Sequence, residues 1–213
     1  MWSEVRRFLP GRSVAPDLPG FGGRPFTGEG IVAAHLDFLA RRVREGDHLV
    51  GHDYGGWLAA MVARRQRVAS LTLISTALGP GWWPAKLGAL PLAERVCYRA
   101  FGGRRWLRRG VAGSGGAGAA FVAMHERWLG EGMSERMLAI ARGLPWAGGS
   151  LVADLRQLGI PIRCVWGERD DAFPPWMGRR LARSLGATFS TAPGGHYGMV
   201  GWGREWAGAI SGV

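Results

Sequence analysis

The stretch that decides the fold is Val50–Gly56, V-G-H-D-Y-G-G, in which an apolar strand leads directly into a helix. It contains G-x-D-x-G, so Asp53 stands where the G-x-S-x-G nucleophile elbow has its reactive serine. Such a turn lifts the middle side chain above the sheet, and small residues at Gly51 and Gly55 are expected to let chain segments approach. The N–H of Tyr54 would then point at a developing oxyanion. Considered alone, the segment fits a helix-capping aspartate equally well.

Two motifs further along the chain favour a catalytic interpretation. The segment W-G-E-R-D-D-A-F-P places Asp170 just beyond a predicted strand, and G-G-H-Y places His196 after the next one. The carboxyl ends of parallel strands meet at one edge of a sheet, and a nucleophile, an acid and a histidine in this chain order form a catalytic triad there. We therefore predict a triad of Asp53, Asp170 and His196. Asp171 is the alternative acid.

The rest of the chain predicts a mostly parallel sheet flanked by helices and interrupted once. The predicted strands lie at residues 13–18, 48–52, 70–76, 161–166 and 187–192, and predicted helices begin near residues 27, 57, 175 and 199. Short connections between strand, helix and strand are typical of a parallel sheet covered on both faces. Strand signals vanish between residues 79 and 158, where amphipathic helical pieces follow one another. We predict a core made of residues 1–78 and 159–213, with an inserted helical domain at 79–158.

Together these motifs resemble the α/β-hydrolase superfamily, in its branch with an aspartate nucleophile, the epoxide hydrolases and haloalkane dehalogenases. The matching segments are W-S-E-V-R-R-F-L (2–9), V-A-P-D-L-P-G-F-G (14–22), L-V-G-H-D-Y-G-G (49–56), R-V-A-S-L-T-L-I (67–74), I-P-I-R-C-V-W-G-E-R-D (160–170) and P-G-G-H-Y (193–197). The resemblance implies that residues 79–158 form a helical cap over the active site. The W-G-x-x-D spacing, with Pro174 four residues on, favours Asp170 over Asp171 as the acid.

An aspartate nucleophile favours a particular class of substrate. A free carboxylate has a pKa of about 3.9, so Asp53 is ionised at neutral pH without help from a base. It can displace a leaving group from a saturated carbon and form an alkyl ester. His196, oriented by Asp170, then activates the water that hydrolyses this ester. An epoxide or a carbon–halogen bond of a small apolar molecule suits this chemistry better than a simple ester.

The two substrate classes differ in the leaving group that the site must stabilise. An epoxide needs an acid for its alkoxide, which relatives supply with two cap tyrosines, whereas residues 79–158 contain only Tyr98. A halide needs N–H donors, and dehalogenases often have tryptophan after the nucleophile, where this chain has Tyr54. Indole donors from the cap are available in Trp82, Trp83 and Trp146, although packing within the cap is their ordinary role. The sequence slightly favours an epoxide.

The beginning of the chain departs from the superfamily pattern. An H-G loop, which supplies the second oxyanion N–H, normally precedes the W-x-x-V-x-x-x-L helix, yet this chain begins with Met1 and Trp2 inside that helix motif. The resemblance therefore predicts an N-terminal truncation or a misassigned start, with the third strand missing beside the strand at 48–52. Either the sheet has a gap there, or the strand at 13–18 pairs directly with it. The alternatives are a truncated, non-catalytic α/β-hydrolase-like protein and an ester hydrolase of this fold.

The composition excludes several other classes of protein. With 213 residues, of which 47% are hydrophobic and 20% charged, the chain is globular. The net charge of +11 comes from scattered arginines without a nucleic-acid motif, so a solvated basic surface is favoured over nucleic-acid binding. No apolar run spans a bilayer, and two cysteines form neither a metal site nor a disulfide framework. We expect a cytoplasmic enzyme with a small-molecule substrate, no cofactor, no metal and no membrane partner.

Overall fold

The structure is a computed structural model that describes residues 1–25, 30–76, 78, 104–128, 136, 139–140, 143–144 and 149–212. In chain order the elements are α1 (Trp2–Arg6), α2 (Ile31–Ala40), β1 (His48–His52), α3 (Tyr54–Ala63), β2 (Ser70–Ile74), α4 (Arg104–Gly110), α5 (Gly115–Trp128), α6 (Gly149–Arg156), β3 (Ile162–Gly167), α7 (Pro175–Leu185), β4 (Thr188–Ala192) and α8 (Gly203–Ser211). None of the helices in these ranges is both long and apolar enough to cross a bilayer.

The described strands form one parallel sheet in the order β1-β2-β3-β4. Successive side chains of a strand point to opposite faces, and both faces of this sheet are covered by helices. Leu73 and Cys164 lie in the cluster with α2, α3, α6 and α7, whereas Ile74 and Val165 lie in the cluster with α1 and α8. The predicted parallel sheet flanked by helices is confirmed.

The strand predicted at residues 13–18 does not form. These residues have no strand pairing, and Val14 is 70% exposed. Arg6 Nη2 donates a hydrogen bond to the carbonyl oxygen of Ser13 at 2.7 Å, so this carbonyl already has a partner. Pro16 has no N–H that could donate to a neighbouring strand. β1 is an edge strand of the described sheet, so the alternative in which residues 13–18 pair directly with it is wrong.

Three helices begin away from the predicted positions, and the first of them is α2, which begins at Ile31 and not near residue 27. α3 begins at Tyr54 and not at Trp57, because the backbone becomes helical directly after Asp53. The last helix begins at Gly203, since residues near 199 form turns that precede it. In the described part of the predicted insertion, residues 104–110, 115–128 and 149–156 are helical. The cap boundaries at 79 and 158 stay a prediction.

Candidate active site

Asp53 occupies a strained turn between β1 and α3. Its φ of 50° and ψ of −120° lie in a region that non-glycine residues rarely adopt, at a cost of about 1–3 kcal/mol. The surroundings hold this conformation in place. The Asp53 N–H donates to the carbonyl of Ile74 at 3.0 Å, and its own carbonyl accepts from Gly56 and Trp57. The turn therefore holds the carboxylate at the carboxyl edge of the sheet.

Close approach at the elbow depends on Gly51 and Gly56. A β-carbon at Gly51 would collide with the carbonyl oxygen of Gly55 and with the Gly56 backbone, and one at Gly56 would collide with the side chain of Thr76. A β-carbon at Gly55 would meet nothing within 4 Å. The prediction that Gly55 must be small is therefore wrong. Gly56 has this role, because it lies against the side chain of Thr76 just beyond the end of β2.

The structure brings Asp53, His196 and Asp170 together at the ends of β1, β4 and β3. His196 Nδ1 donates to Asp170 Oδ2 at 3.0 Å, and His196 Nε2 lies 3.6 Å from Asp53 Oδ2. The second oxygen of Asp170 accepts the N–H groups of Ala172 and Phe173, at 3.0 and 2.9 Å. This arrangement fixes the orientation of the Asp170 carboxylate and, through it, the tautomer of the imidazole.

Burial and exposure differ among these residues in a way that suits their chemistry. The side chains of His196 and Asp170 are fully buried, whereas the side chain of Asp53 is 40% exposed. Asp171 is exposed and lies outside the group. Of the two candidate acids, the structure brings Asp170 to His196.

His196 and Asp53 each stabilise the charged form of the other. Burial alone lowers the pKa of His196, but hydrogen bonds and charge from Asp170 and Asp53 outweigh it and raise that pKa to about 9. Burial raises the pKa of Asp53, yet His196, His52 and the Tyr54 N–H together hold it below its usual value. At neutral pH the free protein therefore has an Asp53 carboxylate beside a His196 imidazolium.

Tyr54 contributes its backbone to the site and directs its side chain elsewhere. Because it is the first residue of α3, its N–H has no partner within the helix. This N–H stabilises the ionised form of Asp53. The phenol hydroxyl instead lies 2.8 Å from Nδ1 of His35, a buried residue of α2.

Sequence reasoning missed two buried histidines next to the site. His52, the last residue of β1, lies 2.8 Å through its Nε2 from the carbonyl oxygen of His196. His35 of α2 is also buried, and its imidazole connects Tyr54 to the carbonyl of Pro19. The available signal was a histidine inside an otherwise apolar pattern, which indicates a buried polar partner without identifying it.

The helical pair α4 and α5 contacts the loop that contains His196. The N–H of Tyr197 donates to the carbonyl of Gly110 at 3.0 Å, and a β-carbon at Gly195 would approach the same carbonyl oxygen to 2.9 Å. The Tyr197 ring lies between Phe121 of α5, at 5.2 Å between ring centroids, and His196, at 4.9 Å. Helices α4 and α5 of the predicted cap therefore pack against the loop that contains His196 and hydrogen-bond to it.

Four predicted leaving-group residues, Tyr98, Trp82, Trp83 and Trp146, lie outside the described residues. No cluster of three or more histidine, cysteine, aspartate or glutamate side chains suited to a metal occurs in the described part of the chain. Among those residues Cys164 is a free, buried cysteine.

Comparison with known proteins places this geometry in a family. The model of the alpha/beta hydrolase family matches residues 1–208. A thermophilic esterase from Thermogutta terrifontis is similar in structure, with 25% identity, a TM-score of 0.78, and coverage of 99% of this chain and 83% of the esterase. The enol-lactonase from Burkholderia xenovorans LB400 has 18% identity, a TM-score of 0.67, and coverage of 92% of this chain and 78% of the lactonase.

A third similar structure is a lipase-esterase related protein from Clostridium acetobutylicum ATCC 824, with 14% identity, a TM-score of 0.69, and coverage of 99% of this chain and 87% of that protein. A search of curated proteins returned no match. The family match spans nearly the whole chain and agrees with the parallel sheet and the strained elbow. The chain belongs to the alpha/beta hydrolase family.

Proposed function

We propose that this protein hydrolyses its substrate through a covalent alkyl ester on Asp53, and that the substrate is an epoxide or a carbon–halogen bond of a small apolar molecule. The observation that carries the proposal is the Asp53 carboxylate at the tip of the elbow, 3.6 Å from His196 Nε2 and partly open to solvent. A carboxylate in this place is already a nucleophile, whereas a serine there would first have to lose a proton.

In the first step an oxygen of Asp53 attacks a saturated carbon. A new carbon–oxygen bond forms while the bond to the halide or to the epoxide oxygen breaks, and the electron pair leaves with that atom. Attack is in line, so the departing atom lies on the side of the carbon opposite Asp53, away from His196. The donor for it must face the elbow from across the substrate, and the candidates remain Tyr98, Trp82, Trp83 and Trp146. The phenol of Tyr54 is not one of them, because it is bound to His35.

In the second step His196 becomes the base. Esterification removes the negative charge of Asp53, which is one of the two carboxylates that raise the pKa of His196. The imidazolium then releases its Nε2 proton to solvent more readily, and the neutral Nε2 accepts a proton from water as that water attacks the ester carbonyl carbon. The Tyr54 N–H stabilises the oxyanion. As the carbonyl re-forms, the alkoxide takes the proton that His196 gained from water and leaves as the alcohol. The Asp53 carboxyl group then passes its own proton to His196, which restores the carboxylate and the imidazolium.

Ester hydrolysis is the second candidate, because the similar protein from Thermogutta terrifontis is an esterase. The aspartate argues against it. A carboxylate that attacks an ester carbonyl must expel an alkoxide and leave an anhydride, which is more reactive than the ester consumed. Attack on a saturated carbon leaves a stable ester instead, so the proposed substrates fit Asp53 better. A protein of this fold without catalytic activity is the remaining alternative.

A single turnover in heavy-oxygen water tests the covalent route, with an aryl epoxide and a primary haloalkane as the two probes. Water attacks the ester carbonyl, so the label should enter the Asp53 carboxylate, and the first product should be unlabelled. Label found only in the product would contradict the proposal. Asp53→Asn should form no ester and keep the fold, whereas the exposed Asp171→Asn serves as the matched control. Absence of turnover with either probe, but turnover of an ester, would favour the esterase alternative.

A further inference from the structure

His52 makes a direct contact between the elbow and the loop of the candidate base. Its side chain is buried, with only 7% of the residue exposed, and its Nε2 lies 2.8 Å from the carbonyl oxygen of His196. The two imidazole rings are 4.6 Å apart between centroids, and the His52 ring is 5.6 Å from that of Tyr197. His52 also directly precedes Asp53 in the chain.

The protonation state of His52 is defined by its surroundings. A backbone carbonyl only accepts, so Nε2 of His52 carries the hydrogen. Burial and the charge of His196 lower the pKa of His52 to about 4, although the carboxylates of Asp53 and Asp170 oppose this effect. His52 is therefore a neutral donor at physiological pH, and the positive charge of the site belongs to His196.

The strand order alone does not bring His196 next to Asp53 and His52. β1 and β4 are separated by β2 and β3, and three strand spacings of about 4.8 Å amount to roughly 14 Å. The loop after β4 must therefore reach back across the sheet to bring Nε2 of His196 to Asp53. The His52 hydrogen bond links this loop, at His196, to the residue that directly precedes Asp53.

We propose that His52 is a positioning residue, whose hydrogen bond to the His196 carbonyl holds the imidazole over Asp53 and thereby sets the rate at which the alkyl-enzyme ester is hydrolysed. The inference rests on the proposed function for its kinetic consequence. Formation of the ester needs the Asp53 carboxylate and a donor for the departing atom but no base, whereas hydrolysis of the ester needs the His196 base in place. Loss of the His52 donor should therefore slow the second half-reaction much more than the first.

The test compares substitutions that keep or remove the donor. The amide nitrogen of a glutamine reaches about as far as Nε2 of histidine, so His52→Gln keeps the bond, while His52→Leu removes it. His52→Asn keeps polarity but is too short, and it provides the same comparison if the leucine variant does not fold. His48→Leu is the matched control, because His48 is an exposed residue of the same strand.

Rapid quench should show ester formation within about threefold of the parent in every variant. In His52→Leu or His52→Asn, ester hydrolysis should fall at least tenfold and the alkyl-enzyme should accumulate, while His52→Gln should restore most of the rate. Equal loss in both half-reactions, no loss in either, or no rescue by glutamine in a folded variant would overturn the proposal.

An NMR titration of His196 separates this inference from the proposed function. A loosened contact with Asp53 should lower the pKa of His196 in the leucine or asparagine variant and leave it near the parent value in His52→Gln. If the parent forms no alkyl-enzyme, the proposed function fails, and the titration still decides whether His52 positions His196. An unchanged pKa in all variants would overturn the positioning role.

Discussion

The hydroxyl of Tyr54 lies 2.8 Å from Nδ1 of His35, and Nε2 of the same imidazole lies 2.8 Å from the carbonyl oxygen of Pro19. Since that carbonyl only accepts, Nε2 donates to it, and the neutral Nδ1 accepts from the phenol. Burial lowers the pKa of His35 and raises that of Tyr54, which keeps both groups uncharged. The residue after the nucleophile is therefore fastened to α2 and to the loop before it.

Tyr54→Phe should destabilise the protein through this chain of hydrogen bonds. The substitution leaves a buried acceptor of His35 without its donor, which costs about 1–3 kcal/mol in the free energy of unfolding. In a His35→Leu background the acceptor no longer exists, so the same substitution should cost less. Urea denaturation of the four proteins of this cycle measures the difference. An equal cost in both backgrounds would show that the bond contributes nothing.

Stability should be greatest near pH 6.5. Folding raises the pKa of His196 from 6.5 to about 9, so this stabilisation is complete below pH 6.5 and is lost as the pH rises towards 9. Folding lowers the pKa of His52 to about 4, so the unfolded chain takes up a proton first and stability falls from pH 6.5 towards 4. Burial lowers the pKa of His35 and His125 as well and adds to this acidic loss.

Urea denaturation between pH 4 and 10 measures this profile. His196→Gln should reduce the loss of stability between pH 6.5 and 9. His52→Gln should reduce the loss of stability between pH 6.5 and 4 without abolishing it. If His196→Gln loses as much stability as the parent when the pH rises towards 9, another group must be responsible for that loss.

Asp170→Asn and Asp171→Asn should differ sharply in activity. An amide at position 170 cannot stabilise the imidazolium and favours the wrong tautomer of His196, and the equivalent change in a serine triad costs on the order of 10⁴-fold in kcat. Asp171 is exposed, so its amide variant should retain the parent activity. Steady-state and single-turnover kinetics, with mass spectrometry of the trapped ester, give the comparison. Similar losses in both variants would contradict the assignment of the acid.

Gly51→Ala and Gly55→Ala should have opposite effects on stability. The first places a methyl group against the backbone of Gly55 and Gly56, and such overpacking costs about 1–3 kcal/mol. The second places it in open space in the first turn of α3, where alanine is favoured over glycine by up to about 1 kcal/mol. Thermal unfolding monitored by circular dichroism measures both. A lower Tm for Gly55→Ala than for Gly51→Ala would contradict the described elbow.

The sequence predicted the parts of the fold that depend on local pattern. The strand at His48–His52 could be recognised from its short apolar run, and the helix before β4 from the helical spacing of the residues that it buries, Gly178, Leu181, Ala182 and Leu185. Residues 13–18 show the limit of such reasoning. Their apolar pattern fits a strand, but a strand also needs a neighbour with free hydrogen-bonding groups, and no local pattern reports this.

The candidate site was predictable where a motif carries its own geometry. Asp53 and His196 stand in such motifs, and the structure places them side by side. His52 and His35 do not, because their partners lie far away in the chain and only the folded backbone brings them together. The requirement for glycine at Gly56 likewise comes from its close approach to Thr76, which lies twenty residues further along the chain.

The order of strands in the sheet follows their order in the chain, and this has a consequence for protein synthesis. During synthesis Asp53 at the end of β1 therefore leaves the ribosome well before His196, which follows β4. Under the proposed mechanism, the docking of β4 is the folding step that supplies the base needed to hydrolyse an ester on Asp53.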